Sequence, residues 1–230
     1  NCGSCGYSTC HEMASALAYG YNKKENCLHY MNDIMEKNYY TDALTGLDNQ
    51  NSFIRKVNAV LSSNVDKKYA VYAGDINRLK VINDIFGFET GNEVLKFIGK
   101  SLCEVFGDKA IVARIGGGLF TLFLEYNLET VETIRNIKYF DCRHLGIEMP
   151  VTMRFGAYVA ESFDENVTDM LNYSTLCMDR TISSVTNTFS FFTQEYREKM
   201  MTEVNITSQM PSALANNEFV LWFQPQYKTA

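Results

Sequence analysis

Apolar positions fall into two regimes along this chain. In the middle they crowd into short runs; on either side they recur at helical spacing. Residues 70–77 form a β-rich run, Ala-Val-Tyr-Ala-Gly-Asp-Ile-Asn, that carries a carboxylate, Asp75, near its end. Residues 110–124 read as two short apolar strands joined by a glycine turn at Gly116, Gly117 and Gly118, a hairpin. Phe53, Val57, Val60 and Leu61 stand at helical spacing and predict a core-facing helix over 52–62. The pattern then predicts a strand at 69–75, helices at about 78–86 and 91–105, strands at 110–115 and 119–124, and a helix near 128–138. A strand at 151–160, a helix at 166–184 and a last strand at 187–192 follow. Strands alternating with helices around a central hairpin imply an α/β fold, one sheet with helices packed against it.

The flanks read differently. Ser8 or Thr9 caps a helix from about Cys10 to Tyr19, which Gly20 ends. Residues 31–39 are helical in pattern, and Thr45 and Asp48 are candidate caps at the next helix start. Residues 194–212 predict a polar helix and 218–224 an amphipathic strand. The organisation expected is a cysteine module at 1–30, a helical linker at 31–48, the central domain at 49–193, a linker helix at 194–212 and the start of a further domain at 213–230.

Composition narrows the class. The 230 residues are 46% hydrophobic and 13% aromatic, enough for a sizeable core. A net charge of −6 argues against a nucleic-acid groove. No apolar run approaches the roughly 18 residues of a membrane span. The chain starts at Asn1 and stops in mid-pattern, so it reads as a fragment.

Seven cysteines, four of them within the first 27 residues, suggest a metal site in a reducing, cytoplasmic compartment rather than a disulfide framework. The four are Cys2, Cys5, Cys10 and Cys27. Four thiolates complete the ligand set of one iron–sulfur cluster, or of a structural zinc. With Gly3 and Gly6 between them, they resemble the small [4Fe–4S] module of iron hydrogenase-related and corrinoid proteins. Cys103, Cys142 and Cys177 are isolated and expected in the core; His11 and His29 are expected at the surface.

The stretch from Asn77 to Leu95, with Asn83-Asp84, Gly87 and Gly91-Asn92 in order, is similar to the diguanylate cyclase, or GGDEF, family. Asp42-Ala43-Leu44-Thr45-Gly46-Leu47 resembles that family's D-x-L-T-G-L entry segment, and Arg114 precedes the glycines as in R-x-G-G-D-E-F. The resemblance implies a palm-like nucleotidyl-cyclase fold. It implies Asp75 as a ligand for Mg2+ bound with GTP, Asn83 and Asn92 as readers of the guanine edge, and Gly116 and Gly117 at the phosphates. The hairpin acids of the family are replaced by Gly118 and Leu119, and Asn77 stands where a second Asp is common. Asn92 replaces an Asp, and an amide offers one acceptor oxygen where a carboxylate offers two. Lys80 matches a family lysine, Phe88 replaces a histidine, and Ile182 falls where a phosphate-binding lysine is expected. Residues 107–110 lack the R-x-x-D product-inhibition motif.

Residues 213–226 resemble the opening of an EAL phosphodiesterase domain, in which a helix leads to a strand ending in Gln-Pro. The combined expectation is a c-di-GMP signalling protein. Its GGDEF domain binds GTP weakly, makes no product, and regulates an EAL domain in cis in response to an iron–sulfur sensor, with a homodimer possible. A weakly active cyclase, and a dimerisation or docking domain that binds no nucleotide, are the alternatives.

Overall fold

The structure, a computed structural model, describes residues 3–63, 67–137, 139–178 and 189–224. Cys2, Ile182 and Pro225, and the predicted elements over 179–188, lie outside the described residues. The chain divides into two compact units, Asn1–Phe191 and Phe192–Ala230.

The first unit is built on a five-stranded sheet. Its strands are β1 (Tyr69–Ile76), β2 (Ala110–Gly116), β3 (Leu119–Glu125), β4 (Met153–Val159) and β5 (Phe189–Phe191), in the order β2-β3-β1-β4-β5. All pairs are antiparallel except β4 with β5. β1 lies in the middle, which explains its unbroken apolar run: with helices on both faces it has no solvent side. Alternation along β1 sorts the core. Ala70, Tyr72 and Ile76 pack with Val94, Ile98, Leu102 and Phe106 of helix α5 (Phe88–Phe106). Val71 packs with Phe53, Val57 and Leu61 of α3 (Gln50–Leu61) and with Val167, Met170 and Leu171 of α7 (Val167–Met178). The helix–sheet–helix sandwich expected from the pattern is thus the observed fold.

Short helix α4 (Leu79–Phe86) follows β1 through Asn77 and Arg78, whose φ of 57° lies in the left-handed region. Helix α6 (Leu128–Asn136) starts on a reciprocal cap between Asn127 and Thr130. Ahead of the sheet, α1 (Cys10–Ala18) is capped by Thr9, whose Oγ1 accepts from Glu12 N–H at 3.1 Å. Helix α2 (Leu28–Tyr40) starts earlier than the apolar pattern suggested and buries no residue fully. Its C-terminal end is held to α3: Asn49 and Asn51 amides donate to the Tyr39 carbonyl, and the Arg55 guanidinium lies 4.0 Å from the Tyr40 ring centroid.

Two local expectations are corrected. The cap of α3 is Asn49, whose Oδ1 accepts from Ser52 N–H; Thr45 and Asp48 are used elsewhere. Thr45 donates its N–H and hydroxyl to Asp42, and Asp48 accepts from Ser52 and Lys56. In the second unit, α8 (Gln194–Ala215) forms on a Thr193 cap, but residues 218–224 are not a strand. Val220, Leu221, Trp222 and Phe223 stand exposed. A strand needs a neighbour to take its backbone hydrogen bonds, and the described residues offer none there.

Among the described residues, Asp42 and Arg114 form the best-protected ion pair of the first unit, with side chains 17% and 10% exposed. Arg114 Nη1 meets both Asp42 oxygens at 3.0 and 2.8 Å, while Nε and Nη2 donate to the Gly117 carbonyl. Burial alone would raise the Asp42 carboxyl, but hydrogen bonds from Thr45 and Arg114 outweigh it and hold the pKa below 3.8. A carboxyl lowered on folding stabilises the fold above its unfolded pKa, and that stabilisation is lost as pH falls through the folded value. Asp42→Ala strands a buried guanidinium and is expected to cost about 3 kcal/mol at neutral pH. In urea unfolding, the gap between native protein and variant should narrow as pH drops below 3.8.

Candidate functional site

At one end of the sheet, β1 ends beside the β2–β3 turn. The turn is bulged: the register shifts between Arg114 and Gly116, and Gly117 takes a φ of 53°, which a side chain disfavours. Ile76 N–H donates to the Gly118 carbonyl, locking the turn against the end of β1. A Cβ placed on Gly118 would lie 3.1 Å from Asp75 Oδ1 and 3.3 Å from Leu79 Cδ2. Position 118 therefore faces the strand-end carboxylate directly, and the glycine there brings no second charge.

Four residues beyond Leu79, on the same face of α4, stands Asn83. Its side-chain oxygen occupies the space over Gly91, where a Cβ would approach it to 1.8 Å. That close fit sets the Asn83 amide beside the start of α5, where Asn92 follows; both asparagines are half-buried. Asp75, Gly118 and Leu79 thus meet where β1 gives way to α4, while Asn83 lies one turn further along α4 against Gly91, which Asn92 follows in α5. Lys80 and Phe88 are exposed.

Arg154 was not anticipated. It lies opposite Asp75 in the β1–β4 register, and its Nη2 donates to Asp75 Oδ2 at 2.7 Å. The two side chains are 17% and 29% exposed. A lone arginine between buried Met153 and Phe155 was the one sequence signal; its partner follows only from strand register. Among the described residues, no three His, Cys, Asp or Glu side chains are grouped to hold a single metal ion. A divalent cation at Asp75 does not fit this donor set: one carboxylate, already engaged by a guanidinium, faces a glycine.

The cysteine module presents a second candidate. Cys5, Cys10 and Cys27 line one cavity of about 420 Å³ with Tyr7, Met13 and Leu17. Each iron of a [4Fe–4S] cube takes a different thiolate, so the sulfurs ring a void and do not meet at one point; three thiols around one apolar cavity suit that group. His11 and His29 are exposed, and His29 borders the cavity. Cys142 and Cys177 are buried as expected, while Cys103 is partly exposed. Burial, with the Asp141 charge nearby, pushes the Cys142 thiol up to about 11.

Comparison with known proteins places the chain. The family model "Diguanylate cyclase, GGDEF domain" matches residues 39–187. The chain belongs to the GGDEF family, the protein class of c-di-GMP signalling. A second model, "Putative Fe-S cluster", matches residues 1–29. Signaling protein YkoW of Bacillus subtilis is 26% identical over 81% of the chain and 24% of its own length. Cyclic di-GMP phosphodiesterase NbdA of Pseudomonas aeruginosa is 23% identical over 80% of the chain and 24% of its own. The chain thus spans about a quarter of the length of these curated relatives. Among solved structures, the coiled coil and GGDEF domain of DgcB from Caulobacter crescentus, in complex with c-di-GMP, superposes with a TM-score of 0.60 at 17% identity. It covers 79% of this chain and 97% of that one. The FimX GGDEF domain from Pseudomonas aeruginosa gives 0.56 at 17%, covering 66% and 98%. The fold is shared. Among the described residues no helix is long and apolar enough to cross a membrane.

In cluster-free native protein, iodoacetamide is expected to alkylate Cys5, Cys10 and Cys27 well before Cys142. The buried thiol of Cys142, rarely ionised, should react only on unfolding, as peptide mass mapping would show.

Proposed function

We propose that this chain is the input half of a c-di-GMP signalling protein. Its GGDEF domain binds guanine nucleotide weakly, makes no c-di-GMP, and passes its occupancy to an EAL phosphodiesterase domain that begins at residue 213. The observation that carries the reading is the pairing of a retained base corner with a hairpin short of acids. Asn83 is set in place by Gly91, whereas Gly118 and Leu119 bring no carboxylate to Asp75. Joining two GTP molecules requires charge compensation at the reacting phosphate, and losing such stabilisation costs several kcal/mol, with each ~1.4 kcal/mol tenfold in rate. Binding needs less. The Asn83 and Asn92 amides meet the guanine edge, and the backbone at Gly116 and Gly117 leaves the phosphates room. Relatives named as phosphodiesterases, NbdA and PdeR, support the pairing with a hydrolytic domain.

The module at 1–30 is assigned as the sensor. Cys2, Cys5, Cys10 and Cys27 would hold a [4Fe–4S] cluster, which supplies a redox centre sensitive to oxidants when bound. Helix α2 carries any change in that module to the start of α3 through the Tyr39 and Tyr40 contacts. The compartment that suits these thiolates is the reducing cytoplasm.

Protein purified without oxygen should be brown with roughly four irons per chain, and Cys10→Ala should abolish the colour while Cys142→Ala keeps it. Stoichiometric zinc without sulfide would overturn the sensor assignment.

Calorimetric titration should show GTP binding in the high-micromolar range, stronger than ATP, with no c-di-GMP formed from GTP. Asn83→Ala should weaken binding about tenfold. Gly91→Ala tests the corner more finely: its methyl displaces only the end of the Asn83 side chain, so GTP affinity should fall while thermal stability changes little. Equal binding of ATP and GTP would reduce the domain to docking, and product formation abolished by Asp75→Ala would make it a cyclase.

A further inference from the structure

The pairing of Asp75 with Arg154 goes beyond the loss of hairpin acids. A site that merely lost a metal would leave the remaining carboxylate facing solvent. Here the carboxylate faces a guanidinium that reaches it from the neighbouring strand at 2.7 Å. The cation comes from the edge opposite the hairpin: β4 lies on one side of β1 and β3 on the other. Gly118 leaves open the space in front of Asp75 Oδ1 while Arg154 holds Oδ2. Among the described residues Arg154 has only that one protein acceptor, and its Nε is buried without a hydrogen-bond partner. That Nε is closed to solvent, whereas the Nη end of this 17%-exposed side chain keeps N–H groups that an anion oxygen can reach. Guanidinium N–H groups suit phosphate oxygens in particular.

We propose that Arg154 takes the place of the divalent cation, so that guanine nucleotide binds at this site without metal. Asp75 then serves to hold the guanidinium, and phosphate oxygens meet the donors that Asp75 leaves free. The Asp75–Arg154 pair is neutral overall, whereas a divalent ion on the same carboxylate carries net positive charge. Weaker phosphate attraction than in a metal-bearing site follows, together with indifference to Mg2+. This proposal rests on the guanine-nucleotide reading above and revises the expected role of Asp75 from metal ligand to anchor.

Two measurements on the full chain test it. The first is titration with GTP in excess EDTA and again in excess Mg2+. Affinities within about twofold of each other are expected, and Arg154→Ser should lower the EDTA value about 10- to 100-fold. Because Arg154→Ser leaves Asp75 unpaired, Asp75→Asn/Arg154→Ser, which removes both charges, is read in its place if the single variant does not fold; the same loss is expected. Binding of GTP in Mg2+ alone would overturn the proposal and leave nucleotide binding standing.

The second measurement needs no nucleotide. Mn2+ uptake is followed by electron paramagnetic resonance in Gly118→Asp and in Gly118→Asp/Arg154→Ser. With Arg154 present, the new carboxylate gains a cation already in place, and little Mn2+ should bind. With Arg154 removed, two facing carboxylates should take up Mn2+ at least about tenfold more tightly. Equal uptake by the two proteins would show that Arg154 does not hold the cation position, and would overturn the proposal even if no GTP binds. Unequal uptake with no GTP binding would keep the cation replacement and refute metal-free nucleotide binding.

Discussion

Much of this fold hangs on the Arg114 guanidinium. It joins three parts of the chain that are far apart in sequence: the entry loop through Asp42, the strand β2 that carries it, and the turn carbonyl of Gly117. With the pair largely shielded from water, the Coulombic attraction is worth more than at the surface, and the planar fork fixes direction as well as distance. Gly117 holds its left-handed backbone against this support. The turn then presents Gly118 to Asp75 in a single geometry. Asp48 adds a second tie, since its carbonyl accepts from Arg114 N–H and its carboxylate engages Ser52 and Lys56 of α3.

Two arginine–aspartate pairs therefore sit a few residues apart in the sheet and have different consequences. Asp42–Arg114 is the more enclosed, has nearly all its hydrogen-bonding capacity met by protein, and fixes the hairpin. Asp75–Arg154 is more open, is joined by a single hydrogen bond among the described residues, and leaves a guanidinium N–H unsatisfied at the end of the central strand. The first is structural by completeness. The second keeps Nη donors beside the strand-end carboxylate, where the proposed nucleotide site lies.

The cysteine module reaches this machinery through one helix. α2 buries none of its own residues, so its position rests on its ends: Cys27 at the cavity and Tyr39–Tyr40 on α3. A segment with so few buried contacts shifts at small cost, the latitude that the proposed link from sensor to sheet calls for. The sheet itself does not share that latitude, since β1 is packed on both faces.

The sequence alone determined the element order and the layered fold, because short apolar runs and helical apolar spacing record which segments meet the core. It also carried the family, through the ordered run around Asn83 and Asn92, and the cysteine spacing. Asp75, Asn83, Gly116 and Gly117 could be singled out as candidates since each lies within one local motif. What tertiary structure decided was pairing across elements. Arg154 lies 79 residues from Asp75, and only the β1–β4 register sets them opposite each other. The Asn49 cap displaced Thr45 and Asp48 because Asp42 and α3 claimed those side chains. Residues 218–224 carry a strand's apolar run without a strand's structure, since a strand exists only where a neighbouring backbone accepts its hydrogen bonds.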